Sequence, residues 1–332
     1  MTIKEIVTIL DNAEANFVLL LGHHNTDPDA LGSAYAFQGL LKRLRPNIVA
    51  EIGSGQGLSK LSKHILENMP IAVNPKPNIE SAEAIILLDT NTIQQLGDLT
   101  ERVAKSTAPI IVIDHHTPHP ETLKRATLCI SNEEASSACE VVYDLFLQAD
   151  LKPDLEEAES LFLGIAFDTR HFVLANASTF KTVVELCNSG VNPPETLSLL
   201  TFPMHSSERL ARIKACQRAK LLKIGPWIIA FSKISAYQAS AARALVDLGV
   251  HAAAVAGKKN EGVEVSLRCT REFQKGTGIH LGKDIAKPLG EALEGMGGGH
   301  AAAAGANGTG DVDEGLNLCT KLFKERLLST NE

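Results

Sequence analysis

The loop at residues 22–33 packs two histidines and two aspartates, His23, His24, Asp27 and Asp29, into seven residues. Pro28 fixes φ between the two carboxylates, so Asp27 and Asp29 can point to neighbouring places. Gly32 and Ser33 follow in a helical pattern, whose first backbone N–H groups can meet anionic oxygen. Asp27 could serve simply as a helix N-cap, but a cap needs only one acid. Three further acids close apolar runs: Asp89 after Leu88, Asp114 after Ile113, and Asp168 after Phe167. A lone acid at a strand end is often just a turn residue, so Asp89 alone says little. Asp114 is followed by His115 and His116, which is harder to dismiss. Five carboxylates with several imidazoles are too many for one metal ion. Two cations sharing a bridging acid would balance the charge, as in two-metal phosphate-ester chemistry. Carboxylate and imidazole without thiolate suit Mn²⁺ well and Mg²⁺ less well, with Co²⁺ or Zn²⁺ also open.

Those acids need a scaffold that brings them to one edge. Residues 17–21, 48–52, 84–88 and 109–113 read as buried strands. Residues 34–44, 136–148 and 155–167 read as helices. Strands alternating with helices imply an α/β fold, a parallel sheet covered on both faces. The loops at 22–33, 89–92 and 114–120 all follow the carboxyl ends of strands, where open α/β sheets place ligands. The pattern breaks at 189–194 and again at Thr201-Phe202-Pro203, with a short helical stretch, 195–200, between the breaks. A long helix is expected over 208–222, then strands at 227–231, 252–256 and 263–268. The expected organisation is a catalytic domain over 1–190, a linker over 191–210 and a smaller α/β substrate-binding domain over 211–332, with a cleft between the domains. Lys258-Lys259 reads as a solvated turn.

The chain has 332 residues, 44% hydrophobic and 21% charged, a globular balance. Its longest apolar runs span a handful of residues, against the ~20 that a membrane helix needs. The first residues carry mixed charge and lack a signal-peptide core. The six cysteines are scattered with no CxxC, which argues against a zinc knuckle or disulfide framework and points to a reducing cytoplasm. Residues 1–204 hold 14 Lys and Arg against 26 Asp and Glu, a charge of −12; residues 205–332 hold 18 against 13, a charge of +5. An acidic half joined to a basic half suits a metal-binding body and a domain that receives an anion. Aromatics are only 5% and do not alternate with basic residues. A long nucleic-acid track with stacked bases is therefore not expected, and a short or mononucleotide-like substrate fits better.

The motifs together resemble the DHH phosphoesterases, a group that includes RecJ exonucleases, nanoRNase-type oligoribonucleases and family II pyrophosphatases. His23, Asp27, Asp29, Ala30, Gly32 and Ser33 match the pattern His-x-x-x-Asp-x-Asp-Ala-x-Gly-Ser, and Asp114-His115-His116 is the name-giving triplet. Asp89 and Asp168 stand at the intervening and following acid motifs. In the C-terminal half, Val265-Ser266-Leu267-Arg268 and Gly297-Gly298-Gly299-His300 resemble the arginine strand and the glycine-rich histidine motif of the DHH-associated domain.

The resemblance implies one metal ion on His23, Asp27 and a bridging Asp89, and a second on Asp29, Asp89, His115 and Asp168. It implies that Asp114 orients the histidines, and that His116 contacts phosphoryl oxygens or protonates the leaving oxygen. Arg268, Gly298, Gly299 and His300 would bind substrate. His280 could line the same cleft or be a surface histidine. Arg170 stands where bacterial relatives usually have glycine; it could reach a substrate phosphate or pair with an acid. Thr26 replaces a proline found in many relatives, and His24 is given no ligand role. The function implied is Mn²⁺-dependent hydrolysis, with two ions per chain, of short RNA or DNA oligonucleotides, 3′-phosphoadenosine 5′-phosphate or dinucleotides. A non-catalytic scaffold that binds nucleic acid or a protein partner, and a RecJ-like single-strand exonuclease, are the alternatives. No membrane partner is expected, and a homodimer is left open.

Overall fold

The computed structural model describes residues 2–202, 204–259 and 262–329. The chain divides into two compact units at 202/203. Pro203, which closes the second sequence break, lies outside the described residues.

The first unit is built on six parallel strands: β1 (Phe17–Leu21), β2 (Val49–Gly53), β3 (Val73–Asn74), β4 (Ala84–Leu88), β5 (Ile110–Asp114) and β6 (Leu128–Ser131). Their order is β3-β2-β1-β4-β5-β6. β4 and β5 are buried at every position, which explains why both read as unbroken apolar runs. One sheet face presents Val18, Leu20, Ile86, Leu88, Ile111 and Ile113 to the helices Pro28–Leu44, Ala138–Gln148 and Leu155–Asp168. The other presents Leu19, Leu21, Ile85, Leu87, Ile110 and Val112 to Leu96, Leu99 and Val103. The chain moves outward from β1 to β3, then returns to β4 on the other side of β1. The carboxyl ends of β1 and β4 therefore flank the point where strand order reverses, the usual ligand crevice of an open α/β sheet.

The second, smaller unit carries a mixed sheet. Its strands are β7 (Lys220–Ile224), β8 (Trp227–Lys233), β9 (Ala252–Lys259), β10 (Gly262–Cys269), β11 (Met296–Gly299) and β12 (Ala303–Gly308), in the order β11-β12-β10-β9-β8-β7. Only β8 and β9 are parallel neighbours; the other pairs run antiparallel. β10 alternates strictly. Val263, Val265, Leu267 and Cys269 are buried, while Glu264, Ser266 and Arg268 are half-buried on the opposite face. The buried set packs with Phe273, Leu289 and Phe323, the last on the helix Val312–Ser329. On the Arg268 side, β8 and β9 are covered by Ala215, Ala241, Ala242 and Leu245.

Three local expectations change. The helix expected from residue 34 starts at Pro28, because Asp27 caps it and proline suits the first turn. The helix expected over 208–222 spans Ser206–Gln217; Lys220–Ile224 is strand β7, held by pairing such as Leu222↔Ile229. Lys258 and Lys259 are the exposed end of β9 rather than a turn, and residues 260–261 lie outside the described set. No helix among the described residues is long and apolar enough to cross a membrane.

Candidate metal centre and substrate groups

The chain leaves β1 through a folded-back loop. Thr26 Oγ1 donates to the His23 carbonyl at 2.8 Å. His23 Nδ1 donates to the His24 carbonyl at 2.8 Å, which leaves Nε2 facing the acids, 3.6 Å from Asp27 Oδ2 and 3.6 Å from Asp89 Oδ2. His24 turns elsewhere: its Nδ1 donates to the Gln95 carbonyl at 2.9 Å. Asp27 does two jobs with two oxygens. Oδ1 caps the following helix, accepting from Asp29 N at 3.0 Å and Ala30 N at 3.1 Å, and Oδ2 faces His23.

Asp29 is 0% exposed. Its Oδ2 accepts from Ala138 N at 2.7 Å and its Oδ1 from Cys139 N at 3.0 Å. These are the first amides of the helix Ala138–Gln148, whose N-cap is Ser137, so the carboxylate sits on the positive end of that helix. Gly164 makes the packing behind it feasible. A Cβ there would lie 2.3 Å from Cys139 Sγ and 2.8 Å from Asp29 Oδ1. Neither the amide pair nor Gly164 was expected from the sequence; the only local signal was a serine just before a helical run.

Asp89 sits at the centre. It ends β4 with φ +50, a conformation that costs roughly 1–2 kcal/mol for a residue with a Cβ and least for Asn or Asp. Its Oδ1 is 3.5 Å from His115 Nε2 and 3.6 Å from His116 Nδ1. His115 Nε2 also lies 3.2 Å from Asp168 Oδ2 and 4.0 Å from Asp29 Oδ2. Asp114 stands behind the pair. Its Oδ1 accepts from the His115 and His116 amides at 2.6 and 2.9 Å and from His116 Nδ1 at 2.8 Å. This contact assigns the His116 proton to Nδ1 and leaves Nε2 on a half-exposed ring.

The electrostatics follow from crowded acids. Burial, then the Asp89 and Asp168 charges, hold the Asp29 carboxyl well above its ordinary value. Burial also raises Asp168, against the pull of His115. For His23, burial opposes the charged ring, but Asp27 and Asp89 prevail and push it up to about 11. For His115, burial again opposes, and Asp168 and Asp89 push it up to about 11. Asp114 is the main cause of a raised His116.

Buried polar atoms are nearly always paired. Here Asp89 Oδ1, Asp114 Oδ2 and His115 Nε2 are buried without a hydrogen-bond partner. Ligand atoms of His23, Asp27 and Asp89 lie within 4.8 Å of one another, and so do those of Asp29, His115 and Asp168. Oxygen and imidazole donors with unsatisfied capacity fit divalent cations of the Mn²⁺ or Mg²⁺ type.

After Asp168, Arg170, His171 and Phe172 take φ of +51, +55 and +67 in succession. Three such residues cost roughly 1–2 kcal/mol each. Arg170 is exposed and has no acid within ion-pairing distance among the described residues. The acid pair that was one of the two readings of Arg170 is therefore not formed among the described residues.

In the second unit, Arg268 pairs with Ala303 on β12 and Ala253 on β9. Its Nη1 donates only to the Leu267 carbonyl, at 2.8 Å, and no acid pairs with it among the described residues. Burial and the neighbouring Arg243 guanidinium lower its pKa. Sequence reasoning missed Arg243, which comes from the helix Gln238–Asp247. The three glycines before His300 differ. A Cβ at Gly297 would strike the Ala286 carbonyl at 1.7 Å, Gly298 faces open space, and Gly299 has φ +134. His300 is exposed, and its amide donates to Ala303 O at 2.8 Å. His280 instead caps the segment that follows it, Nδ1 accepting from Lys283 N at 3.2 Å.

Residues 17–165 match the N-terminal domain of the DHH family, and residues 233–327 match the DHHA1 domain. The chain is 34% identical to the uncharacterized protein MJ0988 of Methanocaldococcus jannaschii, over 96% of this chain and 97% of that protein. It is 28% identical to the cyclic-di-AMP phosphodiesterase GdpP of Geobacillus thermodenitrificans, over 63% of this chain but only 33% of that longer protein. The crystal structure of an exopolyphosphatase-related protein from Bacteroides fragilis has the same fold, with a TM-score of 0.59 and 19% identity, covering 99% of this chain and 97% of that one.

Proposed function

The chain belongs to the DHH family, and on that premise we propose that it is a phosphoesterase that hydrolyses short oligonucleotides or small nucleotides with two Mn²⁺ ions. One observation carries the reading. The unpaired Asp89 Oδ1 and His115 Nε2 converge, 3.5 Å apart, at the carboxyl end of the strands where sheet order reverses.

His23, Asp27 and Asp89 would hold one ion; Asp29, Asp89, His115 and Asp168 would hold the other. When bound, such ions supply Lewis-acid stabilisation of the charge on phosphoryl oxygens. The remaining work falls to side chains. Asp114 fixes His116 with Nδ1 protonated, so that Nε2 can contact a phosphoryl oxygen or deliver a proton to the leaving oxygen. Asp29 is held in place by two amides. Arg268, Gly298, Gly299 and His300 are assigned to the part of the nucleotide that does not react. Arg supplies a bidentate fork for phosphate, and the open space at Gly298 admits a ligand against the backbone.

The testing experiment offers Mn²⁺-loaded protein a panel of labelled di- to decanucleotides in RNA and DNA, 3′-phosphoadenosine 5′-phosphate and cyclic dinucleotides. Metal-dependent turnover of one class is expected. Protein that holds its ions and turns over none of them would reject the reading.

A further inference from the structure

The loop after β1 is anchored unevenly. From Thr26 onward it is tied down. Thr26 N donates to the Gly57 carbonyl at 3.3 Å, the Thr26 carbonyl accepts from Ser59 N at 3.0 Å and from Ser62 Oγ at 2.8 Å, and Asp27 caps the next helix. The turn before it differs: His23 is half-buried, His24 and Asn25 are exposed, and Asn25 takes φ +57. Yet this turn carries the His23 imidazole, and the carbonyl that accepts its Nδ1–H belongs to the turn itself, at His24. A ring that rests on a carbonyl is held only as firmly as that carbonyl.

His24 supplies the firmness. Its backbone N–H and its ring Nδ1–H both donate to one oxygen, the Gln95 carbonyl, at 2.6 and 2.9 Å. Two donors from one residue fix both its position and its rotation, where the amide alone would act as a pivot. Gln95 is itself fixed. Its N–H donates to the Thr92 carbonyl at 3.0 Å and its Oε1 accepts from Thr92 N at 3.3 Å, at the start of the helical segment Ile93–Leu99. That segment lies on the stretch of chain that leaves Asp89. The His24–Gln95 contact therefore ties the loop bearing His23 and Asp27 to the one bearing Asp89, the three residues whose ligand atoms converge. His24 is exposed and belongs to neither core cluster of this unit, so packing does not account for it.

We propose that His24 is a positioning residue: it locks the carbonyl on which His23 Nδ1 rests, and so aims His23 Nε2 at the space it shares with Asp27 and Asp89. This rests on the two-ion reading above and deepens it, by assigning to one ion a support that the other lacks. A histidine ligand generally donates its second ring N–H to an outer partner, and loss of such a partner costs ~10–100-fold in metal affinity or activity.

The test titrates Mn²⁺ into metal-free wild type, His24→Ala, His24→Asn and His24→Gln by calorimetry, with a melting curve for each. Wild type is expected to take two ions. His24→Ala should bind one of them ~10-fold or more weakly and leave the other unchanged. The Asn amide places an N–H where the imidazole Nδ1–H stands and should recover most of the affinity; the longer Gln amide should not. In turnover of a dinucleotide, His24→Ala should need more Mn²⁺ to reach its maximal rate, with KM for the dinucleotide at saturating Mn²⁺ unchanged.

His24→Ala that takes both ions as tightly as wild type overturns the inference and leaves the phosphoesterase reading standing. So does an equal loss in His24→Ala and His24→Asn, which would remove the donor from the argument. A lower Tm with both ions weakened alike would assign His24 to the fold and overturn the inference too. If His24→Ala does not fold, His24→Asn against His24→Gln decides by the same criterion. Wild type that takes up no Mn²⁺ removes both the inference and the two-ion reading.

Discussion

In the first unit, Asp29 and Asp114 are 0% and 1% exposed, and backbone amides reach both carboxylates. In the second, Arg268 is half-buried on the sheet face that the helix Gln238–Asp247 packs against, donates only to its neighbour's carbonyl, and has Arg243 close by. The first region is preorganised before any ligand arrives, with like charges held at short range. The second holds two neighbouring guanidiniums, and no acid pairs with Arg268 among the described residues. The lesson is a division of labour. A centre that positions charge for chemistry needs buried support, whereas Arg268 is held by little beyond a carbonyl of its own strand.

The comparison breaks most sharply at Asp89. Asp89→Ala removes the acid that faces His23, His115 and His116 together. Hydrolysis of every substrate should be abolished, with metal content by elemental analysis falling in parallel. Substantial turnover with Mn²⁺ would sink the shared-acid assignment. His116→Ala comes next. It should keep most of its metal and lose ~10²–10⁴-fold in kcat, the usual range for a proton-transfer group. Loss of an ion from this variant would make His116 a ligand instead.

Arg268→Ala should cost ~1.5–3 kcal/mol in kcat/KM on a dinucleotide or phosphoadenosine phosphate, the range of a hydrogen bond to a charged group. A small artificial phosphodiester should suffer much less. A lower melting temperature with equal losses on both would show that Arg268 serves the fold.

The smallest effect is in protons. Without metal, His23 and His115 are held up to about 11 by their acids. A raised imidazole stabilises the fold fully below its unfolded value of 6.5 and loses that contribution as pH rises through the folded value. Metal-free protein should therefore lose this stability between those limits. A cation needs neutral imidazole, so Mn²⁺ uptake near pH 7 should release protons, and affinity should rise with pH. Calorimetry in buffers of different ionisation enthalpy reads the release; uptake without release would contradict the pairing of these rings with the acids.

Apolar runs that end in Asp89 and Asp114 made β4 and β5, and the side of the sheet carrying the acids, legible in the sequence. Strand β3, two residues long, and β6, mostly half-buried, were not, because neither has a pattern apart from its neighbours: Val73 is placed by pairing with Ile52, and Leu128 by pairing with Ile111. The helix expected to run to residue 222 stopped at Gln217 for the same reason, since the apolar residues of β7 suit either structure until β8 pairs with them. Among site residues, the types and order of the nine acids and histidines were readable, and Asp27, weighed as either a cap or a site residue, caps the helix with one oxygen while the other faces His23.

By itself the sequence determined which chemical groups are available and that strand ends would carry them, because side-chain type and apolar run length are local properties. Tertiary structure alone decided the rest. The amides that hold Asp29 lie more than a hundred residues along the chain at Ala138 and Cys139. The convergence of Asp89 with His115 depends on two strands pairing in one register, Leu88↔Ile113. The left-handed turn at residues 170–172 carries Phe172 against Phe162 and Phe180. Each of these is a meeting between segments distant in sequence or a conformation imposed by packing, and local propensity carries no information about either.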